Sequence, residues 1–145
     1  MSRVYLVTNV FVYAVGGESP RREPCREVLR AVAQRRLAGE TSAYTLQELV
    51  RQRQRRGDEE ATDRAREVAA VCSELHPLNW EITSSAMDLV DRHPHLGIAD
   101  ALHVSTAMNK GLSLVVSADR DLDEIPGIER VDPLDSARLA ALTSE

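Results

Sequence analysis

Glu48, Asp100 and Asp119 lie far apart in the chain, and each stands beside an element boundary where side chains can gather. Carboxylates that meet at one point repel one another, and a hard divalent cation relieves that repulsion through oxygen coordination. Asp119 follows the apolar run 112–117 (LSLVVS) by two residues, and Asp100 sits among Ile98, Ala101 and Leu102, which pin a helix to a sheet. Glu48 falls in the first turn of a predicted helix that opens at Thr45. Each acid also has a purely structural explanation. Thr45 and Glu48 fit a capping box, Asp100 complements a helix dipole, and Asp119 suits a turn. Only their convergence makes them a metal site, and convergence is a matter of topology.

The apolar pattern supplies that topology. Residues 3–7 (RVYLV) predict a buried strand, followed by Thr8-Asn9, a second apolar stretch at 10–15 and the Gly16-Gly17 break. Cys25, Val28, Leu29 and Val32 recur at helical spacing, with Gly39 as the expected C′ residue. Residues 41–43 read as a short strand, and a helix from Thr45 carries Leu46, Leu49 and Val50 before Gly57. Asp58 is placed to cap a third helix whose face is Ala61, Ala65, Val68, Cys72 and Leu75, ended by Pro77. Leu78 and Trp80 fall in a brief extended segment. Ile82, Ala86, Leu89 and Val90 mark a fourth helix, and Ile98, Ala101, Leu102, Ser105 and Met108 a fifth that stops at Gly111. After the strand at 112–117 come an acidic loop at 118–123, a strand at 128–131 and a last helix from Asp132-Pro133 to Leu142.

Strands alternating with helices predict an α/β domain, residues 1–145, with a mostly parallel sheet covered on both faces. In such sheets ligands collect outside the carboxyl ends of the strands. Val7, Thr8, Asn9, Ser117 and Asp119 all fall at that edge.

Composition narrows the function. The net charge of −5 argues against coating nucleic acid by bulk attraction, but leaves room for a local basic face. Aromatic residues are 3% of the chain, so Val, Leu, Ile and Ala must build the core. No apolar run approaches the roughly 20 residues that span a bilayer, and no signal-peptide pattern opens the chain, so a cytoplasmic protein with no membrane contact is expected. Cys25 and Cys72 lie on apolar faces and are expected to be buried thiols. His93-x-His95 lacks the companion ligands of a zinc site, and His103 is expected to pack or hydrogen-bond. Arg51, Gln52 and Arg55 share the helix face of Glu48, where they can guide a phosphate backbone; a solvated helix end is the plainer reading.

The segment TNVFVYA after the first strand, Glu48, ADALHVSTA around Asp100 and VVSADRDLDEI around Asp119 occur in the order of the PIN domain. The chain resembles that family along its whole length, and in particular the VapC-type toxin ribonucleases of toxin–antitoxin pairs. The resemblance implies a three-layer α/β/α sandwich and a Mg²⁺- or Mn²⁺-dependent endoribonuclease that hydrolyses RNA phosphodiester bonds. It also implies a homodimer and a cognate VapB-like antitoxin. The family's acidic set maps onto Glu48, Asp100 and Asp119, with Asp121 and Asp123 as helpers. Thr8, Asn9 and Ser117 match its supporting residues, and Arg51 and Arg55 are the expected RNA or antitoxin contacts. One position departs. The family ends its first strand with an aspartate in a D-T-N pattern, and here that position is Val7. An isopropyl group removes charge and acceptors from the metal's surroundings, so the sequence predicts an impaired nuclease on an intact scaffold. The competing expectation is a non-catalytic PIN-like module that engages antitoxin or RNA. A receiver-like signalling domain is disfavoured, because no acidic pair follows the first strand.

Overall fold

The computed structural model describes residues 1–144. Its elements are β1 (Arg3–Leu6), α1 (Thr8–Val15), α2 (Arg22–Ala33), β2 (Ala38–Ser42), α3 (Ala43–Arg55), α4 (Ala61–Val71), β3 (Glu74–His76), α5 (Trp80–Arg92), α6 (Ile98–Asn109), β4 (Leu114–Val116), a 3₁₀ turn (Arg120–Leu122), β5 (Glu129–Val131) and α7 (Ser136–Thr143). The strands form one sheet in the order β3-β2-β1-β4-β5, with every pairing parallel. β1 is central, and Val4, Tyr5 and Leu6 are fully buried. The chain leaves β1 outward through β2 and β3, then returns to the other side of β1 for β4 and β5. Right-handed crossovers therefore put α1–α4 on one face and α5–α6 on the other.

Side-chain alternation agrees with that assignment. Gly39 of β2 meets Val32 of α2, while Tyr5 and Ser42 on the opposite face meet or approach His103 of α6. The result is the expected three-layer α/β/α sandwich. The reversal of direction beside β1 makes a topological switch point between β1 and β4, where the carboxyl ends of both strands open a crevice. No helix among the described residues is long and apolar enough to cross a membrane.

Several local expectations are corrected. Gly39 is not a helix C′ residue. It lies within β2, where an added Cβ would come 2.6 Å from Val32 Cγ2 and 3.0 Å from Leu6 Cδ1. It is glycine because α2 lies close against the sheet; α2 ends at Ala33, and Arg35 takes the left-handed turn at φ 57°. The first strand ends at Leu6, and Val7 is instead the N-cap position of α1. The third predicted helix runs too far: α4 stops at Val71, and residues 74–76 pair with β2 as an edge strand too short to show its own period. Cys72, just past α4, is half-buried rather than core, whereas Cys25 is buried as expected. Asp58 does not cap α4; its carboxylate takes Arg53 at 2.9 Å and Arg64 at 2.5 Å and so ties α3 to α4. Asn79 caps α5 through the Ile82 N–H at 2.9 Å, so Trp80 opens that helix rather than an extended segment. The last helix starts late, at Ser136, with Asp135 as its cap.

Candidate metal centre

Glu48 is the first functional residue whose local role changes. Ser42, not Thr45, caps α3, accepting the Thr45 N–H on its Oγ at 3.3 Å. Glu48 therefore sits in the second turn, beyond reach of a capping box, and its carboxylate is free for other partners. Oε1 accepts from the Thr8 hydroxyl and lies 2.9 Å from His103 Nε2. Burial pushes the Glu48 carboxyl up, but the bonds to His103 and Thr8 outweigh it and hold the group below its ordinary range.

The loop after β4 is ordered by Asn9, in the first turn of α1. Asn9 Nδ2 donates to Ser117 Oγ at 3.2 Å, and Asn9 Oδ1 accepts the Ala118 N–H at 3.3 Å. Ser117 Oγ accepts the Asp119 N–H at 3.0 Å, and Asp119 Oδ1 accepts the Asp121 N–H at 2.9 Å. Asn9 and Ser117 thus order the turn that carries both aspartates. Asp100 arrives from the first turn of α6. One carboxylate oxygen from each of Asp100, Asp119 and Asp121 lies within 4.8 Å of the others.

This trio is electrostatically unbalanced. Burial raises the Asp100 carboxyl first, and the neighbouring Asp119, Asp121 and Glu48 raise it further, to about 7. Among the described residues, none of the three forms an ion pair, whereas Asp58, Asp63 and Asp123 each have an arginine. An all-oxygen, uncompensated carboxylate set fits a hard divalent cation such as Mg²⁺ or Mn²⁺ better than zinc, which prefers nitrogen and sulfur.

Beside the trio lies an open cleft of about 670 Å³, whose lining includes Val7, Thr8, Tyr44, Glu48, Arg51, Arg55, Asp100 and His103. Glu48 and Asp100 share this cleft, although Glu48 is not one of the three clustered oxygens. Val7 is only 2% exposed and packs into the hydrophobic core where it borders the cleft. The helical spacing of Glu48, Arg51, Gln52 and Arg55 does bring all four to one face, and neither Arg51 nor Arg55 has an ion-pair partner among the described residues.

One expected helper, Asp123, falls elsewhere. Asp123 is bonded to Arg130 at 2.7 Å and stands outside the trio. His93 and His95 meet edge to face at 6.2 Å, and His95 Nε2 lies 3.1 Å from the Asp121 carbonyl, in no metal-ligating group among the described residues. Asp121, ranked as a helper, is a full member of the cluster. Sequence reasoning missed Tyr5 and Ser42, which bond to each other at 2.8 Å beneath the site. The one available signal was a lone tyrosine in a strand whose other buried residues are aliphatic.

The family model described as PIN domain matches residues 4–128. Ribonuclease VapC7 of Mycobacterium tuberculosis (strain H37Rv) is 34% identical over 144 residues, covering 98% of this chain and 99% of that protein. Ribonuclease VapC23 of M. tuberculosis (strain CDC 1551 / Oshkosh) is 32% identical over 119 residues, covering 82% of this chain and 94% of that protein. Among solved structures, VapBC2 from Rickettsia felis bound to a DNA fragment from their promoter matches with a TM-score of 0.69 at 18% identity, over 90% of this chain and 98% of that one, a likeness of fold.

Proposed function

This chain belongs to the PIN-domain family, and we propose on that premise that it is a metal-dependent endoribonuclease of the VapC toxin type, impaired by Val7. The observation that carries the proposal is the uncompensated trio Asp100, Asp119 and Asp121 at the carboxyl edge of a parallel sheet, with Glu48 in the adjoining cleft. Asp100, Asp119 and Asp121 are the residues that hold Mg²⁺ or Mn²⁺. When bound, such a cation acidifies water and neutralises charge on a phosphodiester. Glu48, braced by Thr8 and His103, lines the same cleft as Asp100, where its carboxylate would support the bound cation's surroundings. Asn9 and Ser117 hold the Asp119 turn in place.

A direct test is calorimetric titration with Mn²⁺. This chain is expected to bind one ion weakly, and Asp119→Asn to bind none. Absence of binding by both this chain and a Val7→Asp form would sink the reading.

Arg51 and Arg55 are proposed to guide the RNA backbone toward the acids. In EDTA, Arg51→Ala and Arg55→Ala should each weaken RNA binding and flatten its salt dependence by about 0.7 in log–log slope, the value for one phosphate contact on a single strand. Unchanged binding assigns both arginines to solvent. The fold neighbour from Rickettsia felis is a VapBC pair; by analogy we propose a VapB-like antitoxin for this chain, with homodimerisation and a cytoplasmic location as family expectations. Val7 favours a second reading, a non-catalytic module that engages antitoxin or RNA through the same cleft. The Mn²⁺ titration separates the two.

A further inference from the structure

A chain of buried hydrogen bonds runs beneath the carboxylates and closes on itself. It starts at the N-terminus of α3, where the Thr45 N–H donates to Ser42 Oγ at 3.3 Å. Ser42 Oγ lies 2.8 Å from the Tyr5 hydroxyl, and Tyr5 lies 2.8 Å from His103 Nδ1. The other ring nitrogen of His103, Nε2, lies 2.9 Å from Glu48 Oε1, which returns the path to α3. Thr8 from α1 donates to the same Oε1. Tyr5 is 0% exposed, Ser42 1% and His103 3%, so each polar atom depends on these partners rather than on water. The imidazole is also held in place by rings. Tyr5 and Tyr44 flank it with centroids at 5.6 and 5.3 Å.

Proton counting gives the chain a direction. The direction is set at the Glu48 end, because Ser42 Oγ can accept twice and also lies 3.4 Å from Thr45 Oγ1. An ionised carboxylate can only accept, so the nitrogen that faces Glu48 Oε1, Nε2, carries the hydrogen. A neutral imidazole has one N–H, which makes Nδ1 the acceptor of the Tyr5 hydroxyl hydrogen and leaves Tyr5 Oη to accept from Ser42.

We infer that Tyr5 and His103 are positioning residues for Glu48: Tyr5 fixes the Nε2–H tautomer of His103, and that N–H, with the Thr8 hydroxyl, fixes the rotamer in which Glu48 serves the metal cleft. This rests on the metal-site reading for what Glu48 does, but the tautomer stands independently of it. Both bonds land on Oε1, and the Tyr44 hydroxyl also faces the carboxylate. Orienting partners of this kind govern metal affinity by about 10- to 100-fold.

Two measurements test the inference. The imidazole ¹⁵N shifts of His103 in the metal-free protein should show a protonated Nε2 and an unprotonated, accepting Nδ1, and Tyr5→Phe should shift the Nδ1 resonance. A protonated Nδ1 in the parent overturns the assignment. Mn²⁺ titrations in a Val7→Asp background should then show about 10- to 100-fold weaker binding for His103→Ala. His103→Gln, whose amide keeps a donor near Nε2, should recover most of that loss. Equal loss in both variants, or none, overturns positioning. If His103→Ala fails to fold, Tyr5→Phe against His103→Gln carries the same comparison. If the Val7→Asp parent binds no Mn²⁺, the metal reading fails while the ¹⁵N result still decides the tautomer.

Discussion

Val7→Asp should tighten Mn²⁺ binding by on the order of 10- to 100-fold and raise metal-dependent RNA cleavage at least as much, taking the effect of an orienting partner as the lower bound for a ligand. The position is prepared for it. Val7 has φ −81° and ψ 166° at the N-cap of α1, with no side-chain cap, and it lines the cleft beside Asp100 and Glu48. Valine is among the poorest N-cap residues, and a carboxylate there gains about 1 kcal/mol by accepting an N–H of the first turn. Against that gain stands repulsion from Glu48, Asp100, Asp119 and Asp121. The metal-free variant should therefore be little more stable than the parent, and the gain should appear only with the cation. Val7→Asn separates the two effects. It caps α1 without adding charge, so it should raise metal-free stability by about 1 kcal/mol and leave Mn²⁺ affinity near the parent value. Thermal melts with and without Mn²⁺, beside cleavage of a structured RNA in Mg²⁺, check both variants. Identical cleavage by the parent and Val7→Asp overturns the proposal that Val7 impairs the nuclease.

What could be read ahead of the structure follows from the range of the interactions involved. The central strand, α2, α5 and α6 announce themselves because their apolar residues repeat over several turns or fill a continuous buried run. The edge strand at 74–76 spans too few residues to carry a period, and Leu75, which completed a helical face in the sequence, is 41% exposed in it. Gly39 illustrates the same ambiguity at one residue. Glycine suits a helix end and a close approach alike, and only the distance to Val32 decides. For the site, Asp100 and Asp119 were legible because topology sends strand ends and helix starts to one edge. Glu48 was found as one of three distant acids and through the family resemblance, and the capping box that offered a purely structural account of it does not form, since Ser42 caps α3. Asp121 looked secondary because its place in the trio depends on a turn of the loop held by Asn9 and Ser117, contacts across more than a hundred residues. The Tyr5–His103 bond is likewise long-range, and no local pattern encodes it.

Asp100→Asn should reverse its effect on stability when metal is added. In the metal-free protein the Asp100 carboxyl is raised to about 7, first by burial and then by Asp119. Unfolded, the same group titrates near about 3.9. Between those values the folded state holds more protons than the unfolded one, so the raised carboxyl costs stability progressively as pH climbs from about 4 to 7, and the cost is complete above the folded value. Asparagine has no proton to lose. At pH 8 the variant should exceed the parent by roughly 1–3 kcal/mol, less than a full shift implies because the site is partly open to solvent. Near pH 4 the difference should shrink toward zero, since both side chains are then neutral. Mn²⁺ inverts the order. A cation at about 100 times its dissociation constant adds about 2.7 kcal/mol to any form that binds it, and Asp100→Asn lacks the charge to bind. Cleavage by the Val7→Asp enzyme should fall by about 10²-fold or more when Asp100→Asn is added. Denaturant unfolding at pH 4 and pH 8, with and without Mn²⁺, tests the sign. A variant less stable than the parent at pH 8 without metal would mean that Asp100 is held by attraction rather than crowded by like charge, and the carboxylate trio would lose its standing as a cation site.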